Sequence, residues 1–314
     1  MELTEGTKMS DRKDSFIAAG NWYKGNTHCH TTISDGKVAP EEVVEIYKAH
    51  GYSFLAITDH NIYDYSAQFS TPEFLTFPAV ECNVSVAGTT SKCYHLVGYS
   101  DGGDGMFPDG FRTEVPQWQG ISTAQGIIDN LRSHDNQVIL AHPVWSRTEP
   151  PEFVGLKGLV GMEVYNTCCD FECNTGYAEL YWDSLLRRGK KLWGFASDDS
   201  HRREQIACGW IVVKAPELTR EAIVRSITLG SFYASTGPEI TEFYVEDGAA
   251  HVTCSPAKAI HFVAYEDRGW SFYQEGDEPI TSASLKLQGT ESYVRAEVVG
   301  LDGKKAWSNP IFFD

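Results

Sequence analysis

The segment "PEEVVEIYKAHGYSFLAITDH", Pro40 to His60, decides the fold. Pro40 suits the first position of a helix, because it has no N–H to lose there, and Gly51 suits the residue just past its end. "SFLAIT" (53–58) then reads as a buried strand, being short, apolar and rich in β-branched and aromatic residues. A helix feeding a buried strand is one βα unit. The same rhythm recurs downstream. "STAQGIIDNLRSHDN" (122–136) leads into "QVILAH", and "NTGYAELYWDSLLRRGK" (174–190), with Asn174 as expected N-cap, leads into "KLWGFAS". "LTREAIVRSITLG" (218–230) leads into "SFYAS". Strands alternating with helices in this way predict an α/β fold of parallel βα units, as a barrel or a doubly wound sheet.

The texture changes after "STGPEI" (235–240). "TEFYVED", "AHVTCS", "AIHFVAYE", "ASLKLQG", "ESYVRAEVVG" and "NPIFFD" are short strand-like runs separated by turn residues. They predict a small C-terminal antiparallel β-sandwich. The expected organisation is an N-terminal arm over 1–20, an α/β domain over 21–237 and the β-sandwich over 238–314.

Composition narrows the class. The chain has 314 residues, 42% of them hydrophobic, and no run long and apolar enough to span a bilayer. "MELTEGTKMSDRKDSFIAAG" (1–20) has no apolar core of a signal peptide and reads as a loose arm, so a cytoplasmic location is expected. A formal charge of −17 argues against a nucleic-acid polymer or an anionic membrane as partner, since both demand a basic footprint. It leaves room for a small anionic substrate, because bound metal ions invert the local field. The eight cysteines read as free thiols, and "CCDFEC" (168–173) lacks the second pair of a zinc finger. The oligomeric state is not legible.

The chemistry lies at the ends of the predicted strands. "GNTHCHTTISDGK" (25–37) places His28 and His30 two residues apart, on one face of an extended chain, with Asp35 in the following loop. His60 ends "FLAITDH" beside Asp59, Glu81 ends "FLTFPAVE", His95 lies in "CYHLVGY" and His142 ends "VILAH". "SDDSH" supplies Asp199 and His201, repeating the i, i+2 logic of the opening pair. Six histidines and three carboxylates at successive strand ends converge, in parallel βα architectures, on one crevice. The other histidines, His50, His134, His251 and His261, take structural readings. Nine nitrogen and oxygen ligands without a thiolate predict two or three divalent transition metal ions: zinc, manganese or iron. With three ions, three carboxylates and a hydroxide, the residual charge of about +2 suits a phosphate dianion.

"THCH…SDG", "ITDHN", "AVE", "HLVGY", "AHP" and "SDDSH" resemble, in order, the ligand motifs of the PHP (polymerase and histidinol phosphatase) family of metal-dependent hydrolases across about residues 22–201. The resemblance implies a distorted, TIM-like (β/α)7 barrel with a di- or trinuclear site. It also implies a grouping of ligands: His28, His30, Glu81 and Asp199 on one ion; Glu81, His95 and His142 on a second; Asp35, His60 and His201 on a third. Asp59 would orient His60 or a water. "YASTGPEI" and the strands that follow look most like the carbaryl-hydrolase-like branch, some relatives of which cleave carbamates or other esters.

The expected activity is hydrolysis of a small phosphate ester by a metal-bridged hydroxide, with a metal-bound water or a group such as Asp199, His201 or Asp59 protonating the leaving group. Two alternatives stay open: a carbamate or carboxyl-ester hydrolase using the same centre, and a non-catalytic binding module. Arg147 and Arg202 are candidates to grip a substrate anion, and Asn166, at the end of "EVYN", to touch substrate. Trp145 is a candidate pocket wall.

Overall fold

The computed structural model describes residues 12–64, 66–86, 92–265 and 268–313. The deciding segment folds as its residues dictate. Pro40 opens helix Pro40–Ala49, and Gly51 follows with a φ of +75°. Val43, Val44 and Tyr47 line the buried stripe of that helix and pack against Leu55, Ile57 and Phe74. Each such buried side chain contributes roughly 1.5–3 kcal/mol. Strand Phe54–Ala56 is buried along its whole length.

The strands divide into two sheets. In one, Asn21–Asn26, Phe54–Ala56 and Leu75–Phe77 run parallel in that order. In the other, Gln137–Leu140, Leu159–Asn166 and Trp193–Ser197 run parallel. Strands Ala79–Ser85 and Cys93–Tyr99 pair antiparallel with each other, and Cys93–Tyr99 pairs antiparallel with Gln137–Leu140. A mixed α/β architecture is therefore present, but the expected (β/α)7 barrel is not evident. The reason is local. The link from Ser85 to Cys93 is too short for a helical crossover, which needs a dozen or more residues, so this pair must turn back as a hairpin. Isolated bridges between Cys29 and Ser200 and between His60 and Glu81 link the two sheets, which also pack together through Phe195 and Phe232.

Helix Ile121–Ser133 starts one residue before its expected segment and helix Arg220–Thr228 lies within its own, the latter capped by Thr219, whose hydroxyl accepts from Ala222 N at 3.2 Å. Asn174 does not begin a helix. It ends one, Thr167–Cys173, in the left-handed conformation that asparagine tolerates, and the next helix is Glu179–Leu186. The N-cap is Asn166, whose side-chain oxygen accepts from Cys169 N at 3.0 Å.

The C-terminal region is antiparallel and β-rich. "AHVTCS" and "AIHFVAYE" form one long strand, Ala249–Ala264, whose pairing shifts register between Thr253 and Ala259. Its neighbours Ile240–Glu246, Ile280–Lys286 and Tyr293–Gly300 belong to the same sheet, so two separate facing sheets are not what the pairing shows. This sheet continues into the α/β region where Phe232–Ser235 pairs with Lys305–Ser308. Hydrogen bonding thus crosses the expected boundary at 237/238. The arm is also less loose than expected from residue 12 onward: Lys13 and Asp14 pair with Val245 and Tyr244, and Phe16 packs edge-on against Trp22. The first eleven residues of the arm lie outside the described residues. All eight cysteines are free thiols, and no helix among the described residues is long and apolar enough to cross a membrane.

Candidate metal centre

The expected ligands converge where the two sheets meet. The opening "HCH" and the closing "DSH" lie side by side: His30 N donates to Ser200 O at 3.0 Å, and Asp199 N donates to His28 O at 2.8 Å. Thr58 N donates to Cys29 O, Asn61 N to Glu81 O and Ala141 N to His95 O, so main-chain bonds fasten each ligand segment to the next. His95 comes from the antiparallel strand, near its N-terminal end. An antiparallel strand brings its beginning to the place where parallel neighbours bring their ends. Glu81 sits inside its strand rather than at its end.

Glu81 is the hub. Its Oε1 lies 2.8 Å from His95 Nδ1, 3.2 Å from His142 Nε2 and 3.3 Å from His28 Nε2. Its Oε2 lies 3.0 Å from His60 Nδ1 and 3.1 Å from His30 Nε2. Asp199 Oδ1 is 3.0 Å from His30 Nε2 and 3.2 Å from His28 Nε2. Asp35, the exposed member, lies 3.4 Å from His201 Nε2 and 3.7 Å from His60 Nε2. Ligand atoms cluster in three overlapping groups: His28, His30, Glu81 and Asp199; His60, Glu81 and His95; and His30, Asp35, His60 and His201. The first is the group implied by the resemblance. The second contains His60 in place of His142, and the third gains His30.

Three observations fit these groups to cations. First, Glu81 Oε2, Asp199 Oδ1 and His60 Nδ1 are buried and have no hydrogen bond, although each has close polar neighbours. Buried polar atoms are almost always satisfied, so aligned lone pairs without donors mark a common missing partner. Second, His28 Nε2 and His30 Nε2 face each other at 3.2 Å, which needs either a proton or a shared cation between them. Third, the field favours positive charge. Burial opposes protonation of His28, His30 and His95, but the surrounding carboxylates outweigh it, raising all three, His95 to about 10. Glu81 and Asp199 are held low despite burial, by the imidazoles around them. Oxygen and imidazole donors of this kind suit divalent transition ions.

Two of the converging residues carry backbone strain. His142 has a φ of +24° and Asp199 one of +49°. Such conformations cost about 1–3 kcal/mol each and persist only where the surroundings hold them. Glu163, absent from the expected ligand set, does much of that holding. Its Oε2 accepts from His142 N at 2.8 Å and its Oε1 from His28 Nδ1 at 2.7 Å. Glu163 stays below the ordinary carboxyl range although burial pushes it up, chiefly because of His28. In sequence Glu163 is one acid inside "MEVYN", and its role shows only in its burial and its donors. Asp198 was likewise unforeseen. It binds the main-chain N–H groups of Ala207, Cys208 and Gly209 and the Tyr47 hydroxyl; burial, opposed by those bonds, pushes it up to about 6.

The remaining expected site residues scatter. Asp59 does not orient His60. Its oxygens accept from Thr31 N, Thr31 Oγ1, Ser34 N and Ser34 Oγ, which pins the loop between His30 and Asp35. Asn166 is buried with its amide donating to Glu163 and Asp199, leaving nothing for a substrate. Arg202 lines the cavity above the ligands; Arg147 is exposed and does not. Lys37, Trp145, Cys168, Cys169 and Glu172 complete the wall of this cavity of about 270 Å³. A larger cavity of about 710 Å³ lies on the Cys82 side of strand Ala79–Ser85, where none of the ligand residues reaches it. The chemistry places the site in the smaller one.

No family model matches the chain, and no curated protein matches it. Among solved structures it is similar to a two-domain Bacteroides vulgatus protein containing a predicted PHP-like metal-dependent phosphoesterase, at 13% identity and a TM-score of 0.47, covering 93% of this chain and 95% of the other. It is similar to an amidohydrolase from Chromobacterium violaceum at 16% identity and a TM-score of 0.39, covering 58% of this chain and 89% of the other. It is also similar to a lesion-specific endonuclease from Pyrococcus furiosus at 12% identity and a TM-score of 0.43, covering 66% of this chain and 56% of the other. At such identities and scores, function must be read from the residues themselves.

Proposed function

We propose that this protein is a metal-dependent hydrolase of small phosphate esters, and that it belongs with the PHP family, nearest its carbaryl-hydrolase-like branch, on the order of its motifs. The observation that carries the reading is the convergence of Glu81 with five imidazoles and of Asp199 with three of them, with buried acceptor atoms left unpaired. The three groups would hold two or three divalent ions, zinc, manganese or iron, with His142 facing Glu81 from the side. Bound there, such ions supply Lewis acidity that activates water near neutral pH and offsets charge in the transition state.

The chain's own residues do the rest. Lys37 N donates to His201 O at 2.7 Å, which sets Lys37 next to Arg202 at the cavity mouth. Neither side chain has an ion-pair partner among the described residues, although acids outnumber bases 43 to 26. Two unpaired cations beside an acid-rich cluster suit the grip of an anionic substrate. His201 is the partly exposed imidazole at that mouth, its Nδ1 held by Asp199 O at 2.8 Å; its Nε2 would hold an ion in a three-ion site and would be free to protonate a leaving group only in a two-ion site that leaves it unbound. Asp59, with both oxygens engaged, holds the loop. The volume of about 270 Å³ favours a small ester over a polymer, and the charge of −17 points the same way. Free thiols fit a reducing, cytoplasmic setting.

The test is turnover of an aryl phosphate by manganese- or zinc-loaded protein, beside an aryl carbamate, an aryl acetate and a single-stranded oligonucleotide. The reading expects the phosphate to be cleaved, and Asp199→Ala to abolish cleavage. Turnover of the carbamate or acetate alone would move the assignment to the ester alternative, and turnover of none of them would leave a binding module.

A further inference from the structure

We propose that Glu163 is a positioning residue for the ion held by His28, His30, Glu81 and Asp199; the inference rests on the metal reading above. Four donors converge on this carboxylate, two on each oxygen. Oε1 accepts from His28 Nδ1 at 2.7 Å and from Ser197 Oγ; Oε2 accepts from His142 N and Asn166 Nδ2, both at 2.8 Å. Asn166 Nδ2 also reaches Asp199 Oδ2 at 3.2 Å. One side chain on strand Leu159–Asn166 therefore fixes three ligand residues on three other segments: His28 through its ring, His142 through its main chain and Asp199 through Asn166.

The consequence for His28 is chemical as well as geometric. An ionised carboxylate only accepts, so His28 Nδ1 must carry the hydrogen, and the lone pair falls on Nε2. Nε2 is the atom facing His30, Glu81 and Asp199 at 3.2–3.3 Å. A carboxylate behind a ligating imidazole fixes its tautomer and strengthens it as a donor, and losing it typically costs 10–100-fold in metal affinity. Glutamine cannot substitute. Its amide presents N–H groups where one pair of donors already points, so Glu163→Gln sets donor against donor on one side of the residue.

Chelator-stripped wild type and E163Q are titrated with manganese by calorimetry, and loaded with 113Cd for a metal NMR spectrum. The inference expects one class of site to weaken about 10–100-fold and one cadmium resonance to shift or vanish while the others stay. Ser197→Ala keeps the carboxylate and removes one outer donor, so it serves if E163Q does not fold. It should weaken that same class several-fold, with the metal-free melting temperature nearly unchanged. Equal affinities in every class overturn the inference. So does loss of all classes together with a lower metal-free melting temperature, which marks a purely structural role. Wild type that binds no metal overturns the metal reading itself, and this inference with it.

Discussion

At the scale of single residues, the site is a contest among too many lone pairs in too little space. Asp199 shows it best: Oδ1 is buried without a donor, while Oδ2 is held by Asn166. Asp199→Ala should remove the unpaired Oδ1 and the acceptor that Asn166 Nδ2 meets, while the main-chain oxygen that holds His201 stays. Steady-state kinetics should show a loss of at least about 10³-fold in kcat/KM, some 4 kcal/mol of transition-state stabilisation. Lys37→Ala and Arg202→Ala should act differently, raising KM for an aryl phosphate about 10-fold with kcat little changed, as expected for lost uniform binding. A kcat loss with unchanged KM would remove both from the anion grip. The converging histidines and acids were legible because these types recur near strand ends. The residues behind them were not. Glu163 and Asp198 look in sequence like any strand or loop acid, and only their burial and their donors reveal the role. Asn166 and Asp59 misled in the opposite sense: both are at loop-facing positions in sequence, yet neighbouring donors and acceptors consume their side chains.

At the scale of elements, helix Pro40–Ala49 ties the sheet to the site. Tyr47 donates from its hydroxyl to Asp198 Oδ2 at 2.8 Å and accepts from Asn26 Nδ2 at 2.7 Å. Tyr47→Phe leaves both partners buried and one bond short, at a cost of about 1–3 kcal/mol in urea unfolding. A change below about 0.5 kcal/mol would mean that water takes the place of the hydroxyl. In strand Tyr293–Gly300, Arg295 is buried against the Trp182 ring at 4.6 Å and pairs with Glu297. Burial pushes the Glu297 carboxyl up, but Arg295 more than reverses this and holds it below its ordinary 4.5. A depressed carboxyl stabilises the fold fully above about 4.5, and that contribution is lost as pH falls through the folded-state value. Acid unfolding should therefore steepen below pH 4.5 in wild type, and Glu297→Gln should remove that part of the slope; an unchanged slope would deny the pair a role. Helix and strand types were readable from period and punctuation. Pairing direction was not read from the rhythm of apolar runs, although the short link from Ser85 to Cys93 carries it, since it leaves no room for a crossover helix. Asn174 is ambiguous, since asparagine suits both ends of a helix.

At the scale of the whole molecule, segments from both sheets converge at the candidate site, so ions bound there would add a tie between sheets that already share a core. Any ligand that binds only the folded state stabilises it by mass action, about 4 kcal/mol at a thousandfold excess over its Kd. Chelation should lower the melting temperature by several degrees and metal replacement should restore it, as followed by scanning calorimetry. The change from α/β to antiparallel texture near 237 was legible, but the sheet that runs across it was not. Strand Phe232–Ser235 carries no sequence mark of its partner Lys305–Ser308, because pairing between distant segments is settled by packing. The central claim, that these residues form a metal centre, is tested most directly by elemental analysis of the desalted wild-type protein after loading with manganese, zinc or iron. The account predicts at least two transition-metal ions per chain; a chain that retains none would contradict it.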